Sequence, residues 1–231
     1  MRFNSIPIHA FWISVCLLVG CYAFTIYAGL YNGELYRLLL KEDGPLENAA
    51  TLFALAAAIL FAVTYFKYKP NSSYFFILLA LLLLFVFFEE ISWGQRLLGI
   101  ETPETLKSFN AQGEINLHNY EPIYKYVNGV VYVGLDLFLI GVPLLLLILK
   151  DLHGFLLRLR IPTPSAATAF LAFLNYVLFT YFFEGFLHHH GTLGAGEINY
   201  GEILETGIEL TLLFFAYECF HRGLSWIESD F

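Results

Sequence analysis

The run from Leu78 to Phe88 reads LLALLLLFVFF, with no polar residue and no alternation, and five further stretches of the chain approach it in length and apolar content. A bilayer core about 30 Å thick takes roughly 20 predominantly apolar residues per crossing helix. Unbroken apolar runs argue for helices, because a barrel strand alternates between lipid and lumen. The reading is therefore an all-α integral membrane protein, a bundle of about six transmembrane helices. The spans are expected at about 9–30, 47–67, 73–90, 127–149, 166–187 and 202–220, with an outer loop over 91–126. With 231 residues, 58% apolar and 14% charged, the chain is too apolar for a soluble domain and too short for two membrane domains. Residues 1–231 are read as a single transmembrane domain.

Short cytoplasmic loops retain Lys and Arg. Arg2, Lys67, Lys69, Lys150, Arg158, Arg160 and Arg222 fall on one side of this topology, and Arg37, Lys41, Arg96, Lys107 and Lys125 on the other. The first group abuts span ends, so that side is taken as inner, with the protein multi-pass and both termini cytoplasmic. Leu18-Val19-Gly20-Cys21 has the form of a lipoprotein cleavage box, but the apolar run continues beyond it, and an uncleaved helix is expected. Cys16, Cys21 and Cys219 lie inside predicted spans and form no CxxC pair.

This topology sends fifteen of the twenty acids, from Glu34 to Glu209, to the outer side, with His118 and the triplet His188 to His190. Counting 1.5 Å per residue from the inner end of each span puts Glu47 and Glu184 at the outer surface and Glu89 about 6 Å below it. Glu205 lies about 7–8 Å down, Asp136 about 9 Å and Glu209 about 13 Å. The pattern is a funnel of acids, open outward and blind inward. A carboxylate at the bilayer centre costs on the order of 2.5–3.5 kcal/mol, so Glu209 is expected to face the bundle interior or water. Glu202, Glu205 and Glu209 are spaced i, i+3, i+7 and share one helical stripe, where like charges call for a cation, a metal or shared protons. Glu184 and His188, at i, i+4, can face one point; the His triplet is equally well read as a solvated helix end.

Between the third and fourth spans the loop is rich in hydrogen-bonding groups: Ser92, Gln95, Asn110, Gln112, Glu114, Asn116, His118 and Asn119. Thr102-Pro103-Glu104 predicts an N-cap, a proline at the first position and a favourable acid, opening a short interfacial helix. The amides can close over the bundle mouth or simply satisfy loop backbone. Trp93 is expected in the interfacial aromatic belt, and Arg96 is expected to pair with Glu89 or Glu90. Those two acids point about 100° apart on a helix, so one of them faces the funnel.

The segment EEISWGQR from Glu89 to Arg96, followed by NxQGExNLHN from Asn110 to Asn119, resembles a family of uncharacterised bacterial polytopic membrane proteins, and the Glu42-Asp43-Gly44 and Glu47 segment is similar too. The resemblance covers roughly residues 42–119 and implies a bacterial inner-membrane protein without supplying a reaction. A more distant likeness is to membrane hydrolases of the ceramidase and progestin-receptor-like type, whose roles would fall on Ser92, Asp136, His118 and His188; the late HxxxH pair of that type is missing here.

No phosphate-binding glycine loop, GxSxG elbow or HExxH is present. A net charge of -8 with no clustered Lys and Arg argues against nucleic acid. The expected function is a membrane-embedded enzyme with a Glu/His site at the periplasmic face, acting on a lipid or lipid-linked substrate that enters sideways. Glu89, Glu90, Glu209 and His118 are the candidate catalytic groups. Glu47, Glu184, His188, Glu205 and Glu209 are the candidate ligands of a divalent transition metal, Zn, Mn or Fe. Two alternatives stay open: a non-catalytic subunit or assembly factor, with a membrane protein partner or a second copy as its contact, and a proton- or cation-coupled transporter.

Overall fold

Each predicted apolar run forms a helix, and the ends follow from local chemistry. The computed structural model describes residues 7–41, 43–69, 72–110, 113–117, 120, 124–185 and 201–222. Helix α1 (Ile8–Tyr31) leads through Asn32, whose side chain accepts the Leu35 N–H, into the short α2 (Gly33–Leu39). Helix α3 (Pro45–Lys67) starts with proline at its first position, where the missing N–H costs nothing. A Cβ on Gly44 would press on the carbonyls of Lys41 and Leu38, so only glycine lets the chain turn this tightly into α3. Helix α4 (Tyr74–Glu90) is capped by Ser73, whose hydroxyl accepts the Phe75 N–H.

After the loop, α7 (Tyr124–Asp136) passes through a π-helical segment, Leu137–Gly141, into α8 (Val142–Ile148). The loop itself holds a 3-10 turn (Ser92–Gly94) and two four-residue helices, α5 (Gln95–Leu98) and α6 (Glu104–Lys107). Helix α9 (Lys150–Arg158) is amphipathic and was not foreseen; the dense charge at its ends masked a short apolar face. Helix α10 (Ala166–Val177) runs into a second π-helical segment, Leu178–Glu184, and α11 (Gly201–Arg222) closes the described chain. Among the described residues the only strand-like pairing is one bridge between Asn110 and Tyr120.

Among the described residues three helices are long and apolar enough to cross a membrane: Ile8–Tyr31, Pro45–Lys67 and the continuous Gly129–Ile148. Helix α4 is short at 17 residues, the apolar helix Ala166–Tyr181 is shorter than a full crossing, and the acids of α11 lower its mean hydropathy.

Helix α11 is the axis of the packing. It lies along α3, with α4 on the far side of α3, and is flanked by α1 and α10. Small residues on α3 (Ala57, Ala58) let the backbones approach, and Phe61, Phe76 and Phe215 fill the remaining space as a buried aromatic group. A second core joins α1, α2, the Leu178–Glu184 segment and the start of α11 through Tyr22, Tyr36, Phe183 and Ile203. At the crossing of α1, α10 and α11, the Asn175 Oδ1 accepts the Tyr22 hydroxyl at 2.8 Å and its Nδ2 donates to the Leu204 carbonyl at 3.0 Å. A Cβ on Gly207 would overlap the Asn175 amide, so glycine is required at this crossing.

Candidate functional site

The loop motif residues bind one another. Three successive residues take left-handed backbone angles, Ser92 (φ 46°), Trp93 (φ 56°) and Gly94 (φ 77°). For a serine and a tryptophan this costs of order 1–3 kcal/mol each and persists only where the surroundings enforce it. Here they do. The Ser92 hydroxyl donates to Glu114 Oε2 and accepts from Asn116 Nδ2 at 3.3 Å. Asn110 Nδ2 donates to the Asn116 carbonyl at 2.9 Å, and Asn110 Oδ1 accepts the Glu114 N–H at 3.2 Å. Gln95 Oε1 accepts the Ile115 N–H at 2.7 Å while its Nε2 donates to the Thr102 hydroxyl. Thr102 is therefore held by Gln95, and α6 begins after Pro103, one residue later than its sequence predicts.

Glu89 is part of this knot. Its Oε1 accepts the Trp93 indole N–H and its Oε2 accepts the Leu117 N–H, both at 2.6 Å, and the residue is 3% exposed. Trp93 stacks on Phe88 with centroids 5.5 Å apart and stays half exposed, as a belt residue would. Lys107 pairs with Glu104 at 2.9 Å on the exposed face of α6, where that carboxylate raises the ammonium above its usual range. Glu47 serves its own helix: its Oε2 accepts the Asp43 N–H just before α3, much as a capping-box acid does.

Glu90 turns the other way. It is linked by charge to Glu209, and both it and Glu202 act on the Tyr132 hydroxyl, which donates to Glu205 Oε1. The Tyr132–Glu205 bond thus ties α7 to the acid stripe of α11, and the charge of Glu90 at the end of α4 reaches both Tyr132 and Glu209. Glu209 interacts with both Glu90 and Glu205, and its Oε2 is sealed from solvent with no hydrogen-bond partner among the described residues. Of the predicted site residues, the fold brings together Glu90, Glu205 and Glu209, adds Glu202, and recruits Tyr132, which the sequence reading passed over as one aromatic among many.

Beside this centre runs a crevice of about 200 Å³ between α7, α10 and α11. Leu135, Leu139, Ala172, Phe179 and Ile208 give it apolar walls, and Tyr132, Asp136, Asn175 and Thr211 add polar atoms. On α11, the crevice-lining residues Leu204 and Ile208 directly precede Glu205 and Glu209, so the acid stripe and the crevice wall are neighbouring faces about 100° apart. Asp136 is exposed at the crevice edge, one turn from Tyr132.

The opposite end holds a second buried acid that reads in sequence as a mere edge residue. Glu218, 2% exposed, accepts from the Ser165 hydroxyl at 2.8 Å, the Thr168 hydroxyl at 2.6 Å and Arg222 at 3.3 Å. Ser165 also caps α10 through the Ala167 and Thr168 N–H groups, so Glu218 ties the start of α10 to the end of α11. It is fully engaged in structure.

His118 and His188 to His190 lie outside the described residues, as do the side chains of Glu184 and Arg96. Among the described residues no three of His, Cys, Asp and Glu stand together as metal ligands. The carboxylates Glu205 and Glu209 have the right chemistry for a hard or borderline divalent cation, and a further donor such as His188 or His118 would be needed to complete a site.

The fold and the site define a helical membrane protein with an acidic centre at one end of its bundle. Comparison with protein-family models, with curated proteins and with solved structures gives no match.

Proposed function

We propose that this chain is a membrane-embedded enzyme whose centre, Glu90, Glu205 and Glu209 with Tyr132, works at the periplasmic face of a bacterial inner membrane on a lipid or lipid-linked substrate. The observation that carries the reading is the meeting of carboxylates from two helices around Tyr132, one with an unpartnered buried oxygen, beside a laterally placed apolar crevice. Structural acids in this chain behave differently. Glu89 and Glu218 have both oxygens bound, whereas Glu209 Oε2 is left for something else.

Crowded carboxylates in an apolar setting hold a proton among them or a cation between them. In the first form Glu209 is the general acid or base and Tyr132 relays or orients the proton held with Glu205. In the second, Glu205 and Glu209 with His188 or His118 would hold a Zn, Mn or Fe ion, which would supply Lewis-acid chemistry to the substrate or to water. The likeness of the loop motifs to bacterial polytopic membrane proteins fits the assigned membrane, with both termini cytoplasmic. Transport is less well supported. Below Glu209, Thr211 spends its hydroxyl on the Gly207 carbonyl, and Leu212, Phe214, Phe215 and Ala216 are packed in the core.

Elemental analysis of the purified protein separates the two chemical forms: stoichiometric transition metal that disappears in Glu209→Ala or His188→Ala supports the metal form. The enzymatic reading itself is tested by turnover in reconstituted membranes. It requires activity that Glu90→Gln and Glu209→Gln abolish in folded protein, and it fails if those variants are as active as the parent.

A further inference from the structure

We infer that the crevice between α7, α10 and α11 seats one hydrocarbon chain of the lipid substrate, with the polar end of that lipid at Tyr132 and Glu205. Its polar end rests on the enzymatic reading above, while its apolar end rests on the crevice itself.

Size comes first. Small-molecule sites usually enclose roughly 300–1,000 Å³, and at about 200 Å³ this crevice takes a segment of hydrocarbon chain and not a whole lipid.

Position comes second. The span Gly129–Ile148 is only 6% buried along its most apolar window, against 33% for Ile8–Tyr31 and 39% for Pro45–Lys67. It therefore stands off the bundle with most of its surface facing lipid, and the crevice lies along its one packed edge. Tyr176 of the lining is half exposed, as are Val133 and Leu137, which adjoin the lining residues Tyr132 and Asp136 in sequence, so a chain enters from the bilayer without crossing water.

Shape comes third. Both π-helical segments, Leu137–Gly141 and Leu178–Glu184, lie on the walls of this crevice and contribute Leu139, Phe179 and Thr180 to its lining. A π segment widens a helix locally, and such segments concentrate at functional sites. Two of them line this one cleft, and α10 packs against the first of them.

Another groove among the described residues is the contrast. Between α3 and α4, lined by Leu55, Ala58, Ile59, Ala62, Ile77, Ala80, Leu81 and Leu84, it has a similar volume of about 190 Å³. Every one of these residues is apolar, so it offers a lipid nothing beyond the ordinary annular contact. The α7–α10–α11 crevice instead ends at Tyr132, whose hydroxyl is bound to Glu205. A chain lying in it, with Leu139 and Ala172 toward its deep end, brings the ester or phosphate of its lipid beside the acidic centre.

The test uses the full chain in nanodiscs of phosphatidylethanolamine and phosphatidylglycerol containing a diacyl phospholipid with a diazirine near the end of one acyl chain. After irradiation, labelled peptides are located by mass spectrometry. Labelling at Leu139, Ala172 and Thr211 should exceed that of the α3–α4 groove several-fold, and Ala172→Leu, which fills the deep end, should bring it down to the groove's level. Tyr176→Trp, at a half-exposed position at the mouth, is the milder variant and should lower it in the same direction. Equal labelling of the two grooves in the parent protein overturns the inference, as does labelling that both folded variants leave unchanged. Selective labelling without lipid turnover keeps the chain seat and removes the enzymatic reading. Turnover through Glu209 with equal labelling keeps the enzyme and removes the seat.

Discussion

Glu89 accepts the backbone N–H of Leu117 at 2.6 Å, so the last turn of α4 is fastened to a loop segment 28 residues further along the chain. The same carboxylate holds Trp93, and between them these bonds fix the rotation of the helix end. Glu90 follows about 100° round the helix, and its charge acts on Glu209 and Tyr132. One acid builds the wall and its neighbour faces the site.

Glu89→Ala removes two bonds to a buried carboxylate and should cost about 3–6 kcal/mol, since hydrogen bonds to charged groups are individually worth roughly 1.5–3 kcal/mol. Hydrogen exchange at the Leu117 amide should accelerate strongly, and Trp93 emission should shift to the red. Unchanged protection at Leu117 would show that the knot holds without Glu89.

Gly207→Ala places a methyl group against the Asn175 amide and forces apart α10 and α11 or breaks the bond to Leu204. Overpacking of this kind costs about 1–3 kcal/mol. The loss should appear as a lower unfolding midpoint in detergent, and Asn175→Ala in the same chain should recover part of it by making room. A Gly207→Ala protein as stable as the parent contradicts this packing.

Glu218→Ala strands the hydroxyls of Ser165 and Thr168 and leaves Arg222 without its carboxylate. Removing one member of a buried ionic group costs about 3–5 kcal/mol. Glu218→Gln keeps an acceptor and should retain more of the stability. The two substitutions rank in the opposite order if the charge, and not the hydrogen-bond pattern, were unfavourable there.

The helices were legible because long apolar runs admit one solution, and all six predicted stretches are helical. The stripe of Glu202, Glu205 and Glu209 was equally legible from its spacing. The choice between Glu89 and Glu90 was not, because it depends on where a distant loop returns, and a pair of adjacent acids carries no sign of that. Tyr132 and Asn175 were invisible for a related reason: a lone polar residue in an apolar run does not say which helix it meets. The two π segments leave the pattern of apolar residues unbroken, so the crevice they line could not be foreseen. Thr102 reads as a cap by local rules, and tertiary contact with Gln95 overrides them.

Glu89→Gln and Glu90→Gln should separate by kind of defect. The first should loosen the loop, seen as faster exchange at Leu117, while the second should leave Leu117 protected and abolish turnover. If Glu90→Gln instead exposes the loop, Glu90 belongs to the knot.

The most direct measurement is to reconstitute the parent protein and Glu209→Gln in vesicles of bacterial total lipid, with and without Zn, Mn and Fe, and to follow every lipid class by mass spectrometry. The parent should convert at least one lipid or lipid-linked species, and Glu209→Gln, folded to the same extent, should convert none. A parent that leaves all species unchanged, or a Glu209→Gln protein that turns them over equally well, contradicts the assignment of the acidic centre as a site of chemistry.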